Sequence, residues 1–235
     1  MIYDNETFFG EYAKMSRSTQ GLAGAGEWHQ LEGLMPDMAG KAVLDLGCGY
    51  GWHCGYALDH GAVRVLGIDA SEKMLAAAEQ RNPGPTYRLC GLEEYEYPAE
   101  QWDAVVSNLV LHYVADLADI FHKIHRTLKP GGVLVFNIEH PVFTAGVRED
   151  WIYDREGRPQ CWPVDDYYIE GPRQTVFLGC QVEKQHHTLQ TIVMGLLKAG
   201  FTLEALEEAR PSAEMLPLMP EEQKRPMMLL IRGRK

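Results

Sequence analysis

From residue 41 onward, short apolar runs alternate with longer stretches whose apolar residues recur at helical spacing. That alternation is the βαβ signature of a parallel sheet with helices on both faces. Ala42–Leu46 predicts a buried strand, followed by a helix that reaches His60 and stops at Gly61. Ala62–Ile68 predicts a second strand, and Ser71 an N-cap for a helix over Glu72–Arg81. Thr86–Leu89 and Trp102–Ser107 predict the third and fourth strands. Leu117, Ile120, Phe121, Ile124 and Leu128 mark an amphipathic helix over 116–128, broken by Pro130-Gly131-Gly132. Val133–Ile138 predicts the fifth strand.

The alternation then lapses over 139–187, a segment rich in aromatics, glycine and proline. Within it, Val176, Leu178, Cys180 and Val182 alternate with other residues, which predicts one strand, with a turn at Glu170–Arg173 before it. Helical spacing resumes at Leu189–Lys198, and Leu203–Glu208 and Met227–Arg232 read as closing strands. In the first 40 residues Trp28, Leu31, Leu34, Met35 and Met38 predict one docked helix. The expected organisation is a single domain over 1–235. It has a helical cap at 1–40, a core at 41–138, an insertion at 139–187 and a closing unit at 188–235.

Composition removes several classes of function. Hydrophobic residues are 46% and charged residues 23%, so a packed core is affordable. No apolar run is long enough to cross a membrane. The first residues, MIYDNETFFGEY, lack both a basic region and an apolar core, so no secretory leader is expected. The formal charge is −11, and such a surface repels a phosphate backbone, so no nucleic-acid partner is expected. Five cysteines with no CxxC suggest neither a disulfide framework nor a zinc knuckle. Free thiols in the cytoplasm are the expectation. His122 and His125 share a helix face without further ligands nearby, so no metal site is expected.

The chemistry concentrates at Val43-Leu44-Asp45-Leu46-Gly47-Cys48-Gly49-Tyr50-Gly51. A buried strand, a glycine turn and a helix bring a ligand against backbone N–H groups. Asp69, at the end of the next strand, can accept hydrogen bonds from both ribose hydroxyls of an adenosine. A dinucleotide fingerprint would be GxGxxG, but its last position, counted from Gly47, is Trp52. Asp45 would repel a pyrophosphate and could instead help orient the cationic end of a methionine-type cofactor. The pattern favours S-adenosylmethionine. Cys48 reads as a small residue in a tight turn rather than a nucleophile.

VLDLGCGYG, GIDASEKML, WDAVVSNLVLHYV and LKPGGVLVFNIEHP, in that order, resemble the successive motifs of class I S-adenosylmethionine-dependent methyltransferases. The likeness is to the small-molecule group that includes the ubiquinone-biosynthesis O-methyltransferases. It covers about residues 40–140 and, weakly, 188–235. It implies an α/β, Rossmann-like three-layer αβα sandwich on a mostly parallel seven-stranded sheet whose last strand is antiparallel. Gly47 and Gly49, with Gly51, resemble the loop under the methionine portion. Asp69 resembles the ribose acid, and Ala70 and Met74 the adenine-lining residues. Leu92 and Glu93 match the loop that meets the base, although Gly91 stands where family members often carry Asp. Ser107, Asn108 and Leu109 match the strand end beside the transferable methyl. Arg17, by a looser analogy, would meet the cofactor carboxylate.

Methyl transfer to oxygen or nitrogen usually also needs a proton removed, which suits histidine. His140, after the fifth strand, is the first candidate and His112, after the fourth, the second; His186 and His187 approach from the insertion. The insertion would form a lid and acceptor pocket, its aromatics suiting a small-molecule site. Trp151 and Trp162 could serve that pocket or the core. The amino-methyltransferase signature with two prolines is absent after the fourth strand, where Ser107-Asn108-Leu109-Val110 stands. The expected partner is a small-molecule acceptor, and the chain is expected to be a monomer or homodimer. A binding protein without turnover and, less well supported, a nicotinamide oxidoreductase remain as rivals.

Overall fold

The first helical turns precede the sheet, and Leu31 and Leu34 among them pack on Val133, Val135 and Leu230, on one of its faces. A computed structural model of the chain describes residues 2–146 and 149–235. Helices α1 (Glu6–Tyr12), α2 (Ser16–Thr19) and α3 (Trp28–Leu34) come first. Only α3 was expected, and it ends at Leu34 rather than continuing to Met38. Pro36 disfavours helical backbone at Met35, whose ψ is 139°. Met38 is nevertheless buried, in the cluster that holds Val43 and Ala57.

The core then follows the expected alternation. Strand β1 (Ala42–Leu46) leads into α4 (Trp52–Asp59), β2 (Arg64–Asp69), α5 (Glu72–Arg81), β3 (Thr86–Leu89) and β4 (Trp102–Asn108). Next come α6 (Leu117–Thr127) and β5 (Leu128–Glu139). Ser71 caps α5 by accepting from the Met74 amide, and Asp116 caps α6 by accepting from the Asp119 amide. Pro130-Gly131-Gly132 does not delay β5 as the pattern suggested. Pairing begins at Trp102–Leu128, and the ladder absorbs the three residues as an irregularity before Ala104–Val133.

The insertion contains α7 (Pro141–Ala145), β6 (Ile152–Tyr153), β7 (Pro159–Cys161), β8 (Gly171–Phe177) and β9 (Cys180–His186). The single strand expected near 176–182 is in fact the tip of the β8–β9 hairpin. Phe177 pairs with Cys180 across Leu178-Gly179, and both turn residues have positive φ, 51° and 76°. A two-residue loop of that hand matches strand twist. Helix α8 (Leu189–Lys198), β10 (Thr202–Glu208) and β11 (Met228–Arg234) close the chain.

The main sheet has seven strands in the order β10-β11-β5-β4-β1-β2-β3. β1 to β5 pair in parallel, and β11 runs antiparallel to both β5 and β10. Alternate residues feed two cores. Leu44, Leu46, Val105 and Phe136 pack with Ile120, Phe121 and Leu196 of α6 and α8. Val43, Val65 and Val106 pack with Cys54 and Leu75 of α4 and α5. Strand order reverses beside β1, between β2 and β4, so the carboxyl ends of β1, β2 and β4 face a natural crevice.

Candidate active site

The loop after β1 turns sharply because Gly47 and Gly49 hold φ of 72° and 51°. The Gly47 and Cys48 amides both donate to the Ile68 carbonyl at 2.9 Å, which ties the loop to β2. A Cβ on Gly47 would stand 2.3 Å from Val110 Cγ2, so the space is already filled. A Cβ on Gly49 would meet nothing within 4 Å, because that position opens on a cavity.

The cavity, about 1140 Å³, extends from the loop to the insertion. Gly47, Gly49, Asp69, Ala70 and Met74 line one end, with Leu92 and Glu93 from the loop after β3. Asp69 Oδ2 accepts from the Gly49 amide and Oδ1 from the Ser71 amide, both at 2.9 Å. Burial pushes the Asp69 carboxyl up, while those amides favour its charged form.

Arg17, Asn108 and Leu109 line the middle. Arg17 donates twice to Glu27, at 3.2 Å each, and Glu27 is only 1% exposed. Asn137 Nδ2 donates to Asn108 Oδ1 at 2.8 Å and to Glu27 Oε1 at 3.4 Å, so the arginine is joined to the end of β4. Leu109 has φ of 57°, and its amide donates to the Asn137 carbonyl. A non-glycine residue held there marks a spot where the fold imposes strain.

Two of the expected cofactor residues lie behind the cavity wall. Ser107 is buried, and its hydroxyl donates to the Leu46 carbonyl at 3.1 Å. Asp45 is buried too. Cys54 Sγ donates to its Oδ2 at 3.3 Å, and Oδ1 has no partner among the described residues. Burial raises this carboxyl to about 7, and the nearby Asp69 charge adds to the shift.

The histidines separate clearly. His112 lines the cavity; its Nε2 is 4.0 Å from Glu139 Oε1, and its buried Nδ1 has no partner among the described residues. Burial, then the Lys184 charge, hold its pKa well below the usual histidine range, so the ring is neutral near pH 7. His140 does not line the cavity. Its Nδ1 accepts from the Val142 amide and caps α7, and its Nε2 is 3.2 Å from Glu208 Oε1. His186 bonds Thr144 and the Tyr167 carbonyl, which braces the insertion internally, and His187 bonds the Val114 carbonyl, which ties the insertion to the core. Trp162 adds a bond within the insertion, donating from Nε1 to the Val142 carbonyl at 3.0 Å.

Several cavity residues escaped the sequence reading. Tyr3 and Tyr113 share a hydroxyl–hydroxyl bond at 3.1 Å, and both line the cavity with Tyr12. Glu139, Glu149 and Lys184 meet at the far end. Lys184 carried a usable signal. Val182, Lys184 and His186 alternate on β9 and are all buried, which puts a lysine on an otherwise inward face.

A Methyltransferase domain family matches residues 44–136. A solved Listeria monocytogenes structure, assigned as an S-adenosylmethionine-dependent methyltransferase, is 46% identical, with a TM-score of 0.87 over 92% of this chain and 99% of that one. An S-adenosylmethionine-dependent methyltransferase from Mesorhizobium loti is 44% identical, with a TM-score of 0.85 over 92% of this chain and all of that one. An uncharacterized Haemophilus influenzae protein is 31% identical over 100% of this chain and 96% of its own.

Proposed function

The chain belongs to the class I S-adenosylmethionine-dependent methyltransferases, and from that premise we propose that it methylates an oxygen or nitrogen atom of a small-molecule acceptor. One observation carries the reading: a single cavity runs from the glycine loop and Asp69 to His112 and the insertion. The charge of −11 favours a small molecule over a nucleic acid.

The residues present fit the cofactor. Open space stands over Gly49, and Asp69 faces it with both oxygens on backbone amides. Gly47 and Gly49 would hold the methionine portion, Asp69 the ribose, and Ala70, Met74, Leu92 and Glu93 the adenine. Arg17, kept in place by Glu27, would meet the carboxylate. When bound, S-adenosylmethionine supplies a methyl group on a sulfonium for in-line displacement.

The protein's remaining tasks are alignment, dryness and a proton. Asn108 and Leu109, fixed by Asn137, form the rigid edge against which the acceptor is aligned. The β8–β9 hairpin, through Thr175, Phe177 and Lys184, covers the acceptor end and excludes water, which is the lid role we assign to 139–187. His112 receives the acceptor's proton at Nδ1, and Glu139 steadies the resulting charge across 4.0 Å. The test is transfer of labelled methyl to a panel of amines, phenols and hydroxy acids, alongside calorimetry with S-adenosylhomocysteine. Labelled small-molecule product supports the proposal. Labelling of nucleic acid or protein alone would overturn it.

A further inference from the structure

Three charged side chains from three separate segments meet at the acceptor end. Lys184 Nζ on β9 lies 2.6 Å from Glu139 Oε1, at the end of β5, and 3.3 Å from Glu149 Oε2, beyond α7. Their side chains are 5%, 14% and 3% exposed. All three line the cavity.

A buried ion pair on its own is poor evidence of a site, since it can be a purely structural feature. The second carboxylate changes that. Lys184 carries one positive charge, and two glutamates face it, so the cluster holds an excess of carboxylate. Glu139 Oε2 and Glu149 Oε1 are buried and have no partner among the described residues. His112 Nδ1, beside them, is in the same condition. Buried acceptors left unpaired are costly, and here they border a space large enough for a ligand. What is missing is a hydrogen-bond donor, and a positive one would offset the burial and mutual repulsion that raise these carboxyls.

The surrounding surface agrees. Phe143 and Phe177 each lie 5.6 Å from Lys184 Nζ by ring centroid, so their faces already accept a cation. Tyr113 and Tyr3 continue the aromatic wall. A carboxylate-bearing acceptor would meet two glutamates with only one lysine, already engaged, to offset them.

We propose that Glu139 and Glu149 form a recognition site for a protonated amine, so that the acceptor of this methyltransferase is an amine-bearing small molecule. Lys184 is a positioning residue: it fixes both carboxylates through one oxygen each and leaves the other oxygen of each for the ligand. This specificity rests on the methyl-transfer reading above and narrows it to one acceptor class.

The experiment measures binding to the S-adenosylhomocysteine-loaded protein. The probes are short aliphatic amines, a polyamine and an arylalkylamine, each beside its alcohol and carboxylate isosteres. The wild type should bind at least one amine about tenfold more tightly than either isostere, the scale of one charge-assisted hydrogen bond. Glu149→Gln should erase that preference and leave alcohol binding within about twofold. Equal or tighter binding of alcohols or carboxylates would overturn the proposal. So would an amine preference that survives Glu149→Gln, or no binding of any probe to a protein that binds S-adenosylhomocysteine. Failure to bind S-adenosylhomocysteine would instead strike the methyl-transfer reading. The wild-type ranking stands independently if the variant does not fold.

Discussion

Asp69 and Gly49 are joined across the crevice: the carboxylate at the end of β2 accepts the amide of the glycine loop at 2.9 Å. One side chain therefore shapes the loop and also faces the space where the ribose would lie. Asp69→Ala should remove both effects. We expect S-adenosylhomocysteine affinity to fall by about ten- to a hundredfold, or roughly 1.5–3 kcal/mol. Titration calorimetry measures it, and unchanged affinity would remove Asp69 from the cofactor site.

The two loop glycines should fail differently. Gly47→Ala brings a Cβ to 2.3 Å from Val110 in backbone at φ 72°, so it should unfold the protein more easily, by about 2–4 kcal/mol. Val110→Ala in the same chain should recover part of that loss, since it relieves the clash but not the backbone strain. Gly49→Ala meets no protein atom within 4 Å and should cost only about 1 kcal/mol. Its methyl group would intrude on the cofactor space, so affinity should fall by more than stability does. Urea denaturation and calorimetry on the three variants separate the cases.

Much of this was readable in the sequence because it depends on local periodicity. β1, α5 and α6 follow from apolar spacing and from the caps at Ser71 and Asp116. Asp69 was visible because a strand end fixes its position. The far end of the cavity was not, because Glu139, Glu149 and Lys184 meet only when the β8–β9 hairpin folds back toward β5. The hairpin itself was misread as one strand because Val176 to Val182 keeps its alternation through the turn. His140 and His112 could not be told apart by position after a strand. What separates them is that one ring caps α7 and the other is left bare against the cavity.

On the proposed reading, that difference leaves proton removal to His112 alone. His140→Asn can still cap α7 through its side-chain oxygen, so turnover should stay within about threefold of the wild type. His112→Phe removes the unpartnered nitrogen and should lower kcat by about 10²–10⁴ where proton removal limits the rate. S-adenosylhomocysteine affinity should hold in both variants. A larger loss in His140→Asn than in His112→Phe would reverse the assignment.

Arg225 fastens the insertion to the closing segment. It is 6% exposed, pairs with Glu222 at 2.7 Å and lies 4.4 Å from the Trp162 ring centroid, with Phe143 and Trp151 also close. Arg225→Ala should free the insertion, speeding its limited proteolysis and raising the acceptor KM by about tenfold. Arg225→Lys should behave much the same, because an ammonium cannot reproduce the flat stacked surface. Affinity for S-adenosylhomocysteine should not change. If it falls in step with acceptor binding, the insertion is supporting the whole crevice rather than the acceptor end.

Asp45 gives a pH signature that belongs to the fold. Its carboxyl titrates at about 7 in the folded protein, chiefly through burial, against about 3.9 in an unfolded chain. Between those values the folded state keeps a proton that the unfolded state has lost. Stability from this group is therefore full below about pH 4, declines as pH rises to about 7, and is level above that. The buried histidines slope the other way: His53, lowered to about 4, favours the folded state more as pH rises toward 6.5. The Asp45 contribution must therefore be read as a difference between proteins. Asp45→Asn leaves the histidines in place and removes the carboxyl. Relative to the wild type, the variant should gain about 1–3 kcal/mol between pH 5 and 7. Urea midpoints at half-unit pH steps would show the two curves separating over that window and running parallel above it. Curves parallel throughout would mean that Asp45 is already charged at pH 5, held there by the Cys54 thiol and by water reaching its free oxygen.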